Sequence, residues 1–381
     1  MLLTPEERSL RDLAREFAEA EIAPHAARWW EAEECPTALF REMGRLDLMG
    51  LLAPEEHGGT DVSTTALVAA LFEVAKVDQS VAACWQAHLT IGSIPLIRFG
   101  TEEQKARWLR PLAAGERLGS FGLTEPGAGS DASGVRTLAQ RTSDGWSVNG
   151  SKVFISNAAT DISLGPVVLA RCEPEAGGSA DQYVSLLIPV GTPGFTWGPK
   201  LRGIGWHSLD SRELQFEDVA LTEEHVIGAP GGGLAQFLSV LDVGRITIAT
   251  LGIALAEAVL ELSLDYARHR QQFGRPISKF QAIQFKLADI AAQLEAVKLL
   301  VYRAAQLRDQ GAAFGKESAM AKLLASELAM KAASEAVQIH GGYGYMHDYP
   351  VSRFFCDAKV LEIGEGTNEI QRIVIARHLG C

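Results

Sequence analysis

The chain has 381 residues, 47% apolar and 22% charged, and its 35 Lys and Arg against 47 Asp and Glu give a net charge of −12. This composition belongs to a globular chain of two or three domains with a large buried core, and it excludes a disordered one. It also argues against a nucleic-acid groove, which needs a basic stripe.

The first third reads as helices. Thr4-Pro5-Glu6-Glu7 has the form of a capping box with Pro at the first helical position, and Thr101-Glu102-Glu103-Gln104 repeats that capping logic. Between them, residues 64–77 and 80–99 are Ala-rich and apolar enough to be buried helices, punctuated by Gly58-Gly59 and Pro95. From Gly119 to about Gly228 β-branched and polar residues alternate, which predicts a small antiparallel β domain. Asp144-Gly145 and Asn149-Gly150 read as hairpin turns. Residues 167–170, 183–189 and 213–216 read as strands, and Gly177-Gly178-Ser179 as a loop tip. After Gly231-Gly232-Gly233 helix returns. Ile283, Leu287, Ile290, Leu294, Val297 and Val301 form a heptad-like seam, and residues 320–339 a long Ala-rich helix. The expected architecture is α+β and mostly α: a helical domain over 1–118, a β domain over 119–228 and a four-helix bundle over 229–381.

Five Cys, at 35, 84, 172, 356 and 381, include no C-x-x-C pair. Reduced thiols in a cytoplasmic protein are expected, without a disulfide framework or metal site, and Cys84 and Cys356 read as core residues. No basic segment followed by an apolar one opens the chain, so a secretory leader is not expected. The longest apolar stretch, 246–262, is cut by Glu257 and Glu261 and reads as too short for a membrane span. There is no G-x-G-x-x-G after a strand, no phosphate-binding G-x-x-x-x-G-K-[ST], no H-E-x-x-H and no G-x-S-x-G.

The most informative stretch is Ile363-Gly364-Glu365-Gly366-Thr367-Asn368-Glu369-Ile370-Gln371-Arg372. It sets one carboxylate between two glycines, directly before a helix whose expected N-cap is Thr367. Neither neighbour of Glu365 carries a side chain, so a substrate can approach it closely. Taken alone, a Glu before a helix is more often a surface residue that complements the helix dipole.

Three further segments accompany it in order. Phe121-Gly122-Leu123-Thr124-Glu125-Pro126-Gly127-Ala128-Gly129-Ser130-Asp131 and Asp265-Tyr266-Ala267-Arg268-His269-Arg270-Gln271-Gln272-Phe273-Gly274-Arg275-Pro276-Ile277, with Gln281, resemble the two signatures of acyl-CoA dehydrogenases. Gln338-Ile339-His340-Gly341-Gly342-Tyr343-Gly344-Tyr345 is similar to their flavin-contacting loop, and the Glu365 segment to the one carrying their catalytic base. The resemblance runs from about Thr101 to Arg377. It implies FAD as cofactor and Glu365 as the base that removes the α-proton of an acyl thioester. The β-hydride passes to FAD, and a backbone N–H at the base stabilises the thioester oxygen.

Residue by residue, the resemblance implies that Phe121, Leu123, Thr124, Gly129 and Ser130 line the isoalloxazine ring and pyrophosphate. Phe154, Ile155 and Ser156, where the family usually has Trp-Ile-Thr, pack on the flavin or bond near its reactive nitrogen. Thr367 and Glu369 also belong to the cofactor site. Arg270, Phe273, Gln281, Gln338, Ile339, His340, Gly341 and Gly342 reach FAD held by a neighbouring subunit, so a homodimer or homotetramer is implied. Ser130, Asp242, Arg245 and Gly366 fall to the substrate, with Asp242-Val243-Gly244-Arg245 expected to begin the first bundle helix. Relatives with a catalytic Glu just before this Arg lack one at position 365; here Gly244 and Glu365 reverse that pattern.

The implied partners are an acyl-CoA, whose polyanionic carrier needs local Arg or Lys in so acidic a chain, and electron-transferring flavoprotein. A thioester on an acyl carrier protein, an oxidase using oxygen, and a scaffold that has lost its chemistry are the alternatives; the last is disfavoured because the base, Arg270 and the glycine loop are all present. Gly364 replaces a Tyr found in many relatives. Either a larger neighbour such as Trp85 or Phe237 fills that space, or the pocket admits bulky or α-branched acyl groups.

Overall fold

The computed structural model describes residues 3–172 and 182–381, so the reading of Gly177-Gly178-Ser179 lies outside the described residues. The amino-terminal part is helical: α1 (Pro5–Phe17), α2 (Ala26–Ala32), α3 (Thr37–Arg45), α4 (Thr64–Val77), α5 (Gln79–Ala87), α6 (Ile94–Phe99), α7 (Glu102–Gln104) and α8 (Arg110–Ala113). Both expected capping boxes form. Thr4 Oγ accepts from Glu7 N at 3.2 Å while Thr4 N donates to the Glu7 carboxylate at 2.8 Å; Thr101 and Gln104 exchange the equivalent pair at 3.3 and 2.8 Å.

The helix expected over 80–99 is divided. A π-helical turn, His88–Gly92, separates α5 from α6. The widened turn sets His88, fully buried, against the first strand: its Nδ1 accepts from Gly119 N at 3.1 Å and its Nε2 donates to Met49 O at 3.0 Å. Burial pushes the imidazole pKa down to about 4, so it serves as a neutral donor and acceptor.

The β domain holds β1 (Leu118–Gly122), β2 (Leu138–Thr142), β3 (Gly145–Ser156), β4 (Ser163–Cys172), β5 (Gln182–Leu187), β6 (Phe195–Trp197) and β7 (Ser211–Leu221). They form one sheet in the order β1-β4-β2-β3-β7-β6, with β5 also on β4. The sheet is mixed rather than antiparallel: β1 and β2 both run parallel to β4, along successive stretches of it, while the other pairs are antiparallel. The β2–β3 hairpin turns at Ser143-Asp144, one residue before the expected Asp144-Gly145, with Gly145 pairing Thr142 as the first residue of β3. Asn149-Gly150 does not turn the chain; it sits inside β3, where the register with β7 shifts between Val148 and Gly150. Gly150 has φ 146°, and a Cβ there would come 2.7 Å from Thr137, so glycine is needed for a bulge and a close strand approach.

The carboxy-terminal part comprises α9 (Gly233–His269), a short hairpin β8 (Gln271–Gln272) and β9 (Arg275–Pro276), α10 (Gln281–Asp309), α11 (Gly315–His340), α12 (Pro350–Ala358) and α13 (Asn368–His378). Helix α9 is the axis of the molecule, packing on α4, α10 and α11, and α13 lies on α11. The seam of α10 is buried at Leu287, Ile290, Leu294, Val297 and Val301, with Ile283 at its margin. By length and composition α9 could cross a membrane, contrary to the reading of its apolar stretch as too short. Its most apolar window is 83% buried within the protein, which accounts for the hydropathy. Asp242 lies about two and a half turns inside α9 rather than at its start. Cys84 is buried in the core, whereas Cys356 is only partly so.

The helical part and the sheet meet at Gly92 and Gly119, backbone against backbone. A Cβ on Gly92 would lie 2.6 Å from the carbonyl carbon of Gly119. Gly92→Ala should therefore lower stability by about 1–3 kcal/mol through an overlap that no side chain can relieve. Urea unfolding of the two proteins measures this as a lower midpoint at unchanged slope.

Candidate active site

Glu365 and Gly366 are consecutive left-handed residues, with φ 51° and 94°. This conformation costs a glutamate on the order of 1–3 kcal/mol, and its surroundings must enforce it. They do so from two sides. The buried Gln371 donates from Nε2 to Gly366 O at 2.8 Å, reaching back from α13. Asn368, the first residue of α13, accepts through Oδ1 from Lys322 Nζ at 3.1 Å and Ser326 Oγ at 3.0 Å, both on α11 and both buried. Thr367 caps the helix as expected, accepting from Ile370 N at 3.4 Å.

The turn throws the Glu365 side chain inward. Oε1 accepts from Gln86 Nε2 at 2.7 Å; Oε2 is buried with no partner. Burial pushes the carboxyl pKa up to about 7, against the opposing hydrogen bond of Gln86 and the charges of Lys322 and Arg245. Oε2 rests over Gly244: a Cβ built on Gly244 would overlap it. A side chain at 244 and this carboxylate cannot share the space, which is the physical content of the Gly244–Glu365 pattern. Arg245 is 6% exposed, paired with Asp242, and its Nε is buried without a partner. A Cβ on Gly364 would meet only Val360 O, at 3.4 Å, so the space directly beside this glycine is open. Trp85 donates to Leu48 O at 2.9 Å, and Phe237 stacks on Phe121 with centroids 4.1 Å apart.

The 121–131 loop is held by a buried ion pair. Lys152 Nζ donates to Glu125 Oε1 at 2.7 Å and to Leu123 O at 2.9 Å, and the Glu125 carboxylate also accepts from the backbone of Arg136 and Thr137 at 2.6 and 2.9 Å. Gly129 and Ser130 are exposed at the loop surface, and a Cβ on Gly127 or Gly129 would meet nothing within 4 Å. Phe121, by contrast, is 7% exposed and packs on Phe237. Phe154 is the reverse: it sits at the second shift of β3, with φ 61° and 68% exposure. Such strain at an exposed aromatic is a binding-surface feature rather than a core one. Ile155 is buried and Ser156 half-buried beside it.

A third group lies elsewhere. Tyr266, Arg270, Gln272, Ile277, Ile339, His340, Gly341, Gly342, Tyr343 and Met346 line a cavity of about 510 Å³. His340 stacks on Tyr266 with centroids 4.2 Å apart, and the Arg270 guanidinium stands over Tyr343. Gly341 and Gly342 leave open space where side chains would project. A guanidinium beside an open glycine turn suits the close approach of a pyrophosphate. Phe273, at the β8–β9 tip, is 92% exposed, and Gln281 and Gln338 are exposed as well. Arg270 is 26 residues beyond Gly244, about 39 Å along α9. The two sets of predicted cofactor residues therefore do not converge within one chain.

Sequence reasoning missed Gln86, Lys322, Lys152 and the anchoring role of Glu125. Gln86 and Lys322 are polar residues inside otherwise apolar helices, and a polar residue buried in such a helix must be satisfied by some specific partner. That was the available signal.

Three family models match consecutive parts of the chain: acyl-CoA dehydrogenase N-terminal domain over 4–116, middle domain over 120–219 and C-terminal domain over 231–380. The probable acyl-CoA dehydrogenase YngJ of Bacillus subtilis is 46% identical over 99% of this chain and 98% of its own. The three-dimensional structure of butyryl-CoA dehydrogenase from Megasphaera elsdenii superimposes with TM-score 0.95 at 39% identity, covering 100% of both chains. A chain of the structure reported for the electron transferring flavoprotein of Acidaminococcus fermentans matches equally, at TM-score 0.95 and 39% identity over 100% of this chain and 99% of that one. The chain belongs to the acyl-CoA dehydrogenases, a family of FAD-dependent oxidoreductases.

Proposed function

We propose that this protein desaturates an acyl-CoA thioester between Cα and Cβ, with Glu365 as the base. The observation that carries the reading is the buried carboxylate with one oxygen anchored and the other free, its pKa raised to about 7. An α-proton of a thioester is weakly acidic, so the group that removes it must be a stronger base than an ordinary surface carboxylate. Burial supplies that basicity. The backbone N–H of Glu365 would donate to the thioester oxygen as charge develops there. Arg245, with a buried unpaired Nε, offers charge-assisted bonding to the anionic carrier in a chain of net charge −12.

The chain's surfaces fit FAD. Thr124, Gly129, Ser130, Phe154 and Ser156 would hold its ring and nearby phosphate on one subunit, and Arg270, Gln281 and the Gln338–Gly342 loop would hold the rest from a second. When bound, FAD supplies a hydride acceptor, which no protein side chain provides. The separation along α9 is why the active form is read as at least a homodimer. Electron-transferring flavoprotein is the proposed electron acceptor, a reading supported by the likeness to the Acidaminococcus structure. Comparing turnover with that protein against turnover with oxygen separates a dehydrogenase from an oxidase.

Glu365→Gln should retain FAD yet lose anaerobic bleaching by butyryl-CoA by about 10³-fold or more. In the parent protein kcat/KM should fall as pH drops through about 7, since below that value the base already holds a proton. Stopped-flow reduction across pH 5.5–8.5 tests both. The open flank of Gly364 predicts acceptance of α-branched acyl groups. Gly364→Tyr should depress isobutyryl-CoA turnover at least about tenfold more than butyryl-CoA turnover, measured on a thioester panel.

A further inference from the structure

The hydrogen bond to Glu365 belongs to a small closed network. Gln86 is 2% exposed and its Nε2 lies 2.7 Å from Glu365 Oε1, 3.0 Å from Thr90 Oγ1 and 3.0 Å from Thr247 Oγ1. The orientation of the amide is fixed by the threonines. Thr90 Oγ1 donates its only hydrogen to Gln86 O at 2.8 Å, and Thr247 Oγ1 donates its own to Gly244 O at 2.9 Å. Both hydroxyls therefore offer lone pairs alone, and the atom facing them must be the NH2 group. That group has two hydrogens and three acceptors. The three acceptors therefore divide two hydrogens: the ionised carboxylate, the strongest acceptor, takes the largest share, and each threonine draws part of it away.

We propose that Gln86 is a positioning residue for the base: it pins Oε1 of Glu365 with an amide hydrogen for which Thr90 and Thr247 compete, and so leaves Oε2 to take the substrate proton. The inference rests on Glu365 being the base. Proton transfer to Oε2 turns the carboxylate into a neutral acid, a weaker acceptor, and the hydrogen on Gln86 is released towards the threonines. Gly244 completes the arrangement by leaving room for Oε2. The charged groups acting on the carboxylate are Arg245 from α9, itself paired with Asp242, and Lys322 from α11, which also feels Glu362 and Glu369. None of them donates to either carboxylate oxygen in the structure, so the amide is the one direct control on the base among the described residues.

The competition predicts shifts of opposite sign. Gln86→Leu removes the donor, disfavours the ionised base, and should move the acid limb of the kcat/KM profile for butyryl-CoA up by about one pH unit. Thr247→Val removes a competitor, gives Glu365 a larger share of the amide, and should move that limb down. Infrared titration of the Glu365 carboxyl band in substrate-free holoenzyme, assigned by its loss in Glu365→Gln, should shift in the same two directions. Should Gln86→Leu not fold, Gln86→Met and Thr247→Val carry the test. Limbs and bands that stay in place, or that move in one direction in both variants, overturn the proposal. Full activity in Glu365→Gln would instead sink the assignment of the base, a separate failure.

Discussion

A glutamate carboxylate buried where three elements meet is the constraint on which the rest of the site depends. Putting an ionisable group out of water is unfavourable unless partners are supplied, and each neighbour of Glu365 is chosen around that cost. Gln86 from α5 provides the hydrogen bond, Gly244 from α9 provides the space, and Lys322 from α11 provides distant positive charge while holding Asn368. The left-handed turn at Glu365 and Gly366 is kept by Gln371 and the start of α13. The site is thus over-determined by packing, and its partial neutralisation at pH 7 is the consequence that gives it basic strength.

The second organising feature is a division of labour along α9. Its early turns carry Gly244 and Arg245 beside the base; its far end carries Arg270 and opens on a cavity shaped by the 341–343 glycine turn. Between them the helix is filled by core contacts with α4, α10 and α11, so the two ends are held at a fixed separation. The buried Lys152–Glu125 pair acts similarly in the β domain. Buried ion pairs add little net stability, but this one fixes the 121–131 loop by tying it to β3 and to the backbone at 136–137.

Much of this was legible in the sequence because it is local. Both capping boxes, the 64–77 helix, the hairpin turn at Asp144, the α10 seam and the Thr367 cap follow from short-range rules, and the structure has each of them. The departures arise from contacts distant in sequence. Parallel pairing of β1 and β2 with β4 leaves no periodic mark, since alternation reports which face is buried and not which neighbour is beside it. Asn149-Gly150 has the composition of a turn, but Thr137 on β2 approaches there and makes it a bulge. Gln86 sits 279 positions from Glu365, and only folding brings the amide to the carboxylate.

The most direct test of the account is the pH dependence of stability, compared between the parent chain and Glu365→Gln by urea unfolding of the apoprotein. The folded pKa of Glu365 lies near 7, above its unfolded value of about 4.3, so the folded state binds the extra proton between those limits. The parent chain should lose stability relative to the variant as pH rises through that window, by about 3–4 kcal/mol at pH 8, and the two should converge below about pH 4.5. A difference that does not change with pH, or a parent chain that gains on the variant as pH rises, would contradict a carboxylate held in a dry junction.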